Sequence, residues 1–239
     1  MSNSWFKFKQ FTVWQEKSAM KVCTDACLFG AWIANLIEVE NYKIDNVLDI
    51  GTGTGLLALM LAQKLDAHID AVEIDEEAAS QAKENFERSR YKERLQLIEG
   101  DIKDFQMKLP YNLIISNPPF FENDLKSQKQ NRNVALHSKA LSFDELILST
   151  KKAINSDGLF AVLLPYPRAE EFIRLAEKQQ FFLQTETHVK QTEKHGYFRS
   201  MLLFSPTRTT VKRSEMVIKV KNEYSEDFKM LLSDYYLYL

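Results

Sequence analysis

The sequence predicts an α/β fold, a mostly parallel, doubly wound sheet with a terminal antiparallel strand pair. Three observations carry this. Short apolar runs alternate with helical segments at the spacing of βαβ units, which make right-handed crossovers between parallel strands. One run, "LDIGTGTG" (48–55), passes from a strand end through three alternating glycines into an apolar helix. The last third holds two consecutive strand-like runs.

Each element has a local reason. "KIDNVLDI" (43–50) is a strand with an apolar end, and "LLALMLAQKL" (56–65) has the period of a helix. "HIDAVEI" (68–74) is a second strand; "DEEAASQAKENFERSR" (75–90) is a polar amphipathic helix whose acids suit a helix N-terminus. "RLQLIEG" (94–100) alternates as a third strand, and "YNLIIS" (111–116) is a fourth. A long polar loop follows, then a helix over "FDELILSTKKAI" (143–154), a turn at "SDG", and a fifth strand, "LFAVLLP" (159–165). "RAEEFIRLAEKQQ" (168–180) is helical. "FFLQTETHVK" (181–190) and "FRSMLLFSP" (198–206) form the terminal pair beside the fifth strand, and "EDFKMLLSDYYLYL" is a closing amphipathic helix.

The 239 residues suit one domain over 1–239, at 45% hydrophobic and 27% charged. No apolar run approaches the roughly 20 residues that span a bilayer, and "MSNSWFKFKQFTVWQ" lacks the apolar region of a secretory signal. A cytoplasmic location is the expectation. Cys23 and Cys27 have the wrong spacing for a C-x-x-C pair and the four histidines are scattered. Two reduced cysteines on one side of a helix, and no metal, are expected. The net charge of −2 hides an asymmetry. Asp66 to Asp104 holds twelve acids against six Lys and Arg, whereas Glu186 to Arg213 holds six Lys and Arg against two acids. Met1 to Lys21 has four Lys and one Glu. Basic ends around an acidic middle let a polyanion dock on one face.

The glycine run with Glu73 at the next strand's tip fits two nucleoside cofactor classes. A dinucleotide site normally reads G-x-G-x-x-G; here the glycines are Gly51, Gly53 and Gly55, with Asp49 just before them. An acid there sits poorly beside a pyrophosphate but suits the cationic methionine portion of S-adenosylmethionine. Glu73 can accept from a ribose diol, with Ile74 beside it, and Asp101 in "EGDI" can accept from an adenine amino group, with Ile102 beside it. Three acids at three successive strand ends favour S-adenosylmethionine, and with it a Rossmann-like class I methyltransferase fold.

The fourth strand ends in "NPPF", Asn117, Pro118, Pro119 and Phe120. Open α/β sheets bind ligands at their carboxyl edges, so Asn117 falls near the reactive methyl group. An amine conjugated with a heteroaromatic ring is a poor nucleophile. The Asn117 side-chain oxygen and the Pro118 carbonyl can hold both of its N–H bonds and draw the nitrogen toward sp³ geometry. Prolines stiffen the turn, and Phe120 offers a face for a planar target. No strong base or metal is needed, because orientation supplies most of the catalysis.

The pattern "DxGxGxG … E … GD … NPPF" resembles amino-methyltransferases that act on adenine N6, guanine N2 or glutamine. Nearly the full length resembles the bacterial tRNA1(Val) (adenine-37-N6)-methyltransferase family. "FKQF", "AMKV", "TDA" and "LFGAW" in the N-terminal stretch carry much of the similarity, with "NRNVALHSKALSFDEL" (131–146) and "KHGYFRSMLLF" (194–204). Cys23 and Ala26 depart from it where glycines are expected. The resemblance implies N6-methylation of an adenine beside a tRNA anticodon; a monomer is the expectation. It implies that the 1–32 segment, with Thr24 and Asp25, helps close the cofactor pocket. The loop after "NPPF", with Lys126, Lys129, Arg132 and Lys139, can clamp RNA phosphates. The alternatives are an rRNA guanine-N2 methyltransferase, a protein glutamine N5-methyltransferase, and a binding module without catalysis.

Overall fold

A computed structural model describes residues 3–18, 20–105, 110–119 and 141–239. The chain begins with two short paired strands, β1 (Trp5–Lys7) and β2 (Thr12–Trp14), and then helix α1 (Thr24–Val39). Next come β3 (Asn46–Ile50), α2 (Leu56–Lys64), β4 (His68–Glu73), α3 (Glu76–Glu87), β5 (Leu95–Glu99) and β6 (Tyr111–Ser116). The second half holds α4 (Phe143–Ala153), β7 (Ile154–Pro165), α5 (Tyr166–Lys178), β8 (Phe182–Thr192) and β9 (Tyr197–Ser205). It closes with β10 (Lys212–Val220), β11 (Glu223–Tyr224) and α6 (Glu226–Leu232).

Among the described residues one nine-stranded sheet runs in the order β11-β10-β8-β9-β7-β6-β3-β4-β5. The block from β7 to β5 is parallel. β9 lies antiparallel between β7 and β8, the expected terminal pair beside the fifth strand. The middle strands are apolar because both of their faces are covered. Val47 on β3 packs with α1, α2 and α6 on one face, while Leu48 and Ile50 pack with α4 and α5 on the other. This is the class I methyltransferase arrangement that the glycine run and the alternation predicted.

The polar helix α3 starts where its acids predicted. The Asp75 carboxylate accepts from the Ala78 N–H at 2.9 Å, and Glu76 and Glu77 occupy the first turn. Such a cap stabilises a helix by about 1 kcal/mol. Ser142 and Glu145 form a reciprocal capping box at the start of α4.

Three expectations need correction. "SDG" does not separate the helix from the strand: it lies inside β7 (Ile154–Pro165), where the strand bulges, since Ile154 pairs with Tyr111 and the next pair is Leu159 with Leu113. The closing helix stops at Leu232, and Tyr235 and Tyr236 instead pack back on the N-terminal strands and core. The final sheet is also larger than a strand pair, since β10 joins β8 in parallel. Cys23 caps α1 and Cys27 lies within it, both free. Neither departure from glycine perturbs the backbone, because Cys23 is extended at φ −129° and Ala26 is helical. Among the described residues no helix is long and apolar enough to cross a membrane, and no cluster of three metal-ligating side chains occurs.

Candidate active site at the carboxyl edge

The pocket at the carboxyl edge forms where β3, β4 and β5 end in loops and β6 ends in the proline turn. The first loop is held in an unusual shape. Gly51, Gly53 and Gly55 all have positive φ, at 72°, 58° and 80°, a region that only glycine enters cheaply. Their reasons differ. A Cβ on Gly55 would stand 2.4 Å from the Phe86 ring, so α3 packs directly on that backbone. A Cβ on Gly51 or Gly53 would meet nothing within 4 Å, which leaves an open cradle on the pocket side.

The loop's N–H groups are already engaged. Gly51 and Thr52 donate to the Val72 carbonyl at 2.9 and 3.1 Å, and Gly55 donates to that of Thr52 at 2.9 Å. Gly53 donates to Glu73 Oε2 at 2.8 Å. A pyrophosphate needs such groups free and pointing outward, so this loop does not suit a dinucleotide. It suits a ligand with donors and a positive charge.

Glu73 stands at the tip of β4, buried at 8% exposure. Its two oxygens accept from Gly53 and from the Asp75 N–H at 2.9 Å. Burial pushes its pKa up, while those two hydrogen bonds pull it down. Each oxygen keeps a lone pair for a further donor such as a ribose hydroxyl. Ile74 and Ile102 line the pocket with Val72 as apolar walls, and Asp101 lies beside them. The Asp101 carboxylate accepts from the Lys103 N–H at 2.9 Å. The Lys103 ammonium sits 3.3 Å from Asp101 and 3.2 Å from Glu145.

Asn117 and Pro119 complete the pocket. Ser116, immediately before the turn, donates its hydroxyl to the Ile50 carbonyl at 2.9 Å and is fully buried. Pro118 is buried as well. The end of β6 before the turn is therefore tied to β3, the strand that leads into the glycine loop.

Not every expected residue lines the pocket. Asp49 is on the α2 face of β3, completely buried beneath the glycine loop. Its Oδ2 accepts from the Thr52 hydroxyl at 2.6 Å, and its Oδ1 has no hydrogen-bond partner among the described residues. Burial pushes its pKa up to about 7, with the nearby Glu73 charge adding to the rise and the Thr52 bond opposing it. Thr24 begins α1 and is half-buried, outside the lining; its neighbour Asp25 pairs with Arg199 of β9 at 2.8 Å. Phe120, Lys126, Lys129, Arg132 and Lys139 lie outside the described residues.

Sequence reasoning did not single out Ser18 and Met20, which line the pocket from the N-terminal segment, or Leu141 before α4. The available signal for Met20 was its place in the "AMKV" block. Met20 is half open to solvent where it lines the pocket.

A family model described as the Methyltransferase small domain matches residues 33–164. A tRNA1(Val) (adenine(37)-N6)-methyltransferase of Parabacteroides distasonis is 36% identical over 99% of both chains. The protein of that name from Trichodesmium erythraeum is 40% identical, again over 99% of both. The chain belongs to the tRNA1(Val) (adenine(37)-N6)-methyltransferase family. Among solved structures, a predicted O-methyltransferase from Agrobacterium tumefaciens superimposes with a TM-score of 0.66 at 16% identity, covering 88% of this chain and 96% of that one. That likeness concerns the fold alone. In this chain Asn117 lies on the lining of the carboxyl-edge pocket.

Proposed function

We propose that the protein transfers the methyl group of S-adenosylmethionine to the exocyclic N6 of an adenine in tRNA, adenine 37 of tRNA1(Val). The observation that carries the reading is the stiff Asn117–Pro118 turn at the mouth of a pocket lined by carboxylates, in a chain whose full-length relatives bear that name. The residues present fit the cofactor. The open cradle at Gly51 and Gly53 admits its backbone-hugging methionine portion, Glu73 accepts from its ribose, and the apolar walls with Asp101 receive its adenine. Asp49 acts one layer below, its buried carboxyl accepting from the Thr52 hydroxyl beneath the loop. Bound there, S-adenosylmethionine supplies an electrophilic methyl group.

The chain's own residues then do the rest. The Asn117 side-chain oxygen and the Pro118 carbonyl accept the two N–H bonds of the target amine. That localises the nitrogen lone pair, which conjugation otherwise spreads into the ring. Because Ser116 and the buried Pro118 fix the turn, little reorganisation accompanies reaction. Pro119, and Phe120 after it, offer apolar surface to the flat purine. The methylated nitrogen is acidic and loses a proton to water, so no strong base is required. An anticodon-loop adenine is already unpaired, which keeps the cost of turning it into the pocket small. The protein acts as a monomer in this reading, and the 1–32 segment closes the pocket through Ser18 and Met20.

The test is transfer of labelled methyl from S-adenosylmethionine to unmodified tRNA, followed by nucleoside analysis. Label in N6-methyladenosine is expected. Label in N2-methylguanosine would replace the base, and label only in protein would move the substrate to glutamine.

A further inference from the structure

Along the carboxyl edge, away from the cofactor pocket, three rings meet outside the apolar core. The centroids of Tyr166, His188 and Tyr197 lie 5.0, 5.0 and 4.9 Å apart in a closed triangle. Tyr166 opens α5 directly after β7 and is 39% exposed, unlike Phe160 and Phe172 of the core, which are completely buried. The other two rings are held from the sheet. His188 Nδ1 is 3.0 Å from the Ser200 hydroxyl, and the Tyr197 hydroxyl donates to Glu215. Lys190 spans the same carboxylate at 3.0 Å and places its ammonium 4.4 Å from the Tyr197 ring centre.

The position matters as much as the composition. Ser116 of β6 stands beside Val162 of β7, so Asn117 and Tyr166 emerge from adjacent strands on the same edge. At about 3.3 Å per residue and about 4.8 Å between strands, Tyr166 lies roughly 10 Å past Asn117, a gap that an adjoining unstacked nucleotide can bridge. Strand direction adds charge there. β8 ends and β9 begins on this edge, which brings Lys190, Lys194 and His195 to it.

We propose that Tyr166, His188 and Tyr197 form a stacking platform for an unpaired base flanking the methylated adenine, with Lys194 beside it for the phosphates. Preset aromatic faces next to cations are how proteins hold single-stranded nucleic acid, because every base has a π-face. A protein substrate would gain little from this surface. The proposal rests on the reading of tRNA as substrate and names where that substrate is gripped.

The test compares the parent with Tyr166→Ala and Tyr166→Trp in methyl transfer to unmodified tRNA1(Val). Loss of one stacked base is expected to raise the KM for tRNA about tenfold, with kcat and the S-adenosylmethionine Kd unchanged and Tyr166→Trp near the parent. Thermal unfolding checks that Tyr166→Ala is folded. Independently, tRNA carrying 4-thiouridine next to adenine 37 is irradiated on the parent enzyme. Crosslinks to Tyr166, His188 or Tyr197 support the platform, and crosslinks confined to other peptides overturn it. A parent that methylates tRNA and a Tyr166→Ala variant with the parental KM sink the platform alone. A parent that methylates no tRNA sinks the functional reading, and the platform with it.

Discussion

Asp49 shows at the residue scale what an acid costs inside a sheet. Burial disfavours its charged form, so its pKa rises from 3.8 to about 7 in the fold. A carboxyl protonated in the folded state and ionised in the unfolded state favours folding least at high pH. Its contribution is fully present below pH 3.8 and is lost as pH rises through about 7. Asp49→Asn keeps an acceptor for Thr52 without the charge. The variant is expected to unfold at a higher temperature than the parent at pH 8 without cofactor, the gap narrowing toward pH 5. A gap independent of pH would show that Asp49 does not titrate in the fold. Asn117 carries the opposite expectation. Asn117→Ala removes one of two amine acceptors from a half-buried position, so kcat should fall by about 10²–10³ while S-adenosylmethionine binding, followed by calorimetry, stays near the parent's. Parental kcat would end the acceptor mechanism. Both residues stand out in the sequence as site candidates. Which way Asp49 points was not, because that depends on which face of β3 the helices cover.

At the scale of elements, one amide ties three pieces of the site together. Asn85 on α3 is 1% exposed. Its side-chain oxygen accepts from the Trp14 N–H of β2 at 2.9 Å, and its Nδ2 donates to the carbonyls of Trp14 and of Thr54 in the glycine loop, each at 2.8 Å. Gln81, one turn earlier, accepts from the Lys17 N–H at 3.1 Å. α3 therefore holds the N-terminal segment over the pocket and the loop beneath it. Asn85→Ala leaves buried backbone groups without partners, so a loss of about 2–3 kcal/mol in denaturant unfolding is expected. Weaker S-adenosylmethionine binding should accompany it, because Ser18 and Met20 lose their anchor. Parental stability and affinity together would show that this clamp is dispensable. Periodicity in the sequence displays none of it, since Asn85 and Gln81 read as the polar face of an amphipathic helix. The elements themselves were legible in proportion to their burial. The end of β7 is a continuous apolar run, β6 carries one over 113–115, and β3 is apolar after Asn46 but for Asp49. β10 was missed because an outer strand with exposed Lys212, Arg213, Ser214 and Glu215 shows no strand period. "SDG" reads as a turn, and it falls where β7 bulges out of register with β6: a Cβ on Gly158 would stand 2.4 Å from Ile154 Cγ1 and 2.6 Å from Asn155 Oδ1, so the glycine serves the local fold-back inside the strand.

Over the whole molecule, sheet order turns a sequence asymmetry into a spatial one. The acidic stretch from Asp66 to Asp104 forms β4, α3 and β5 at one end of the sheet, whereas the basic stretch from Glu186 to Arg213 forms β8, β9 and the start of β10 toward the other. Asn117 leaves from β6, between the two. In the proposed reading, a cationic cofactor thus meets carboxylates on one side, and a polyanion meets lysines and arginines on the other. Strand direction divides the basic stretch further. Lys190 and Lys194 fall on the carboxyl edge with the site, while Lys212 begins β10 at the opposite edge and pairs with Glu40 after α1. Fewer cations can therefore engage RNA near the site than composition suggests. If about four phosphates are neutralised, kcat/KM for tRNA should drop about a hundredfold between about 50 and 200 mM salt. The S-adenosylmethionine Kd, which involves no phosphate, should change little over the same range. Lys194→Gln, at an exposed turn, should lower the slope of log kcat/KM against log salt by about one, whereas Lys212→Gln should leave it unchanged. Equal effects of the two substitutions would mean that RNA crosses both edges of the sheet and that the division by strand direction does not govern docking.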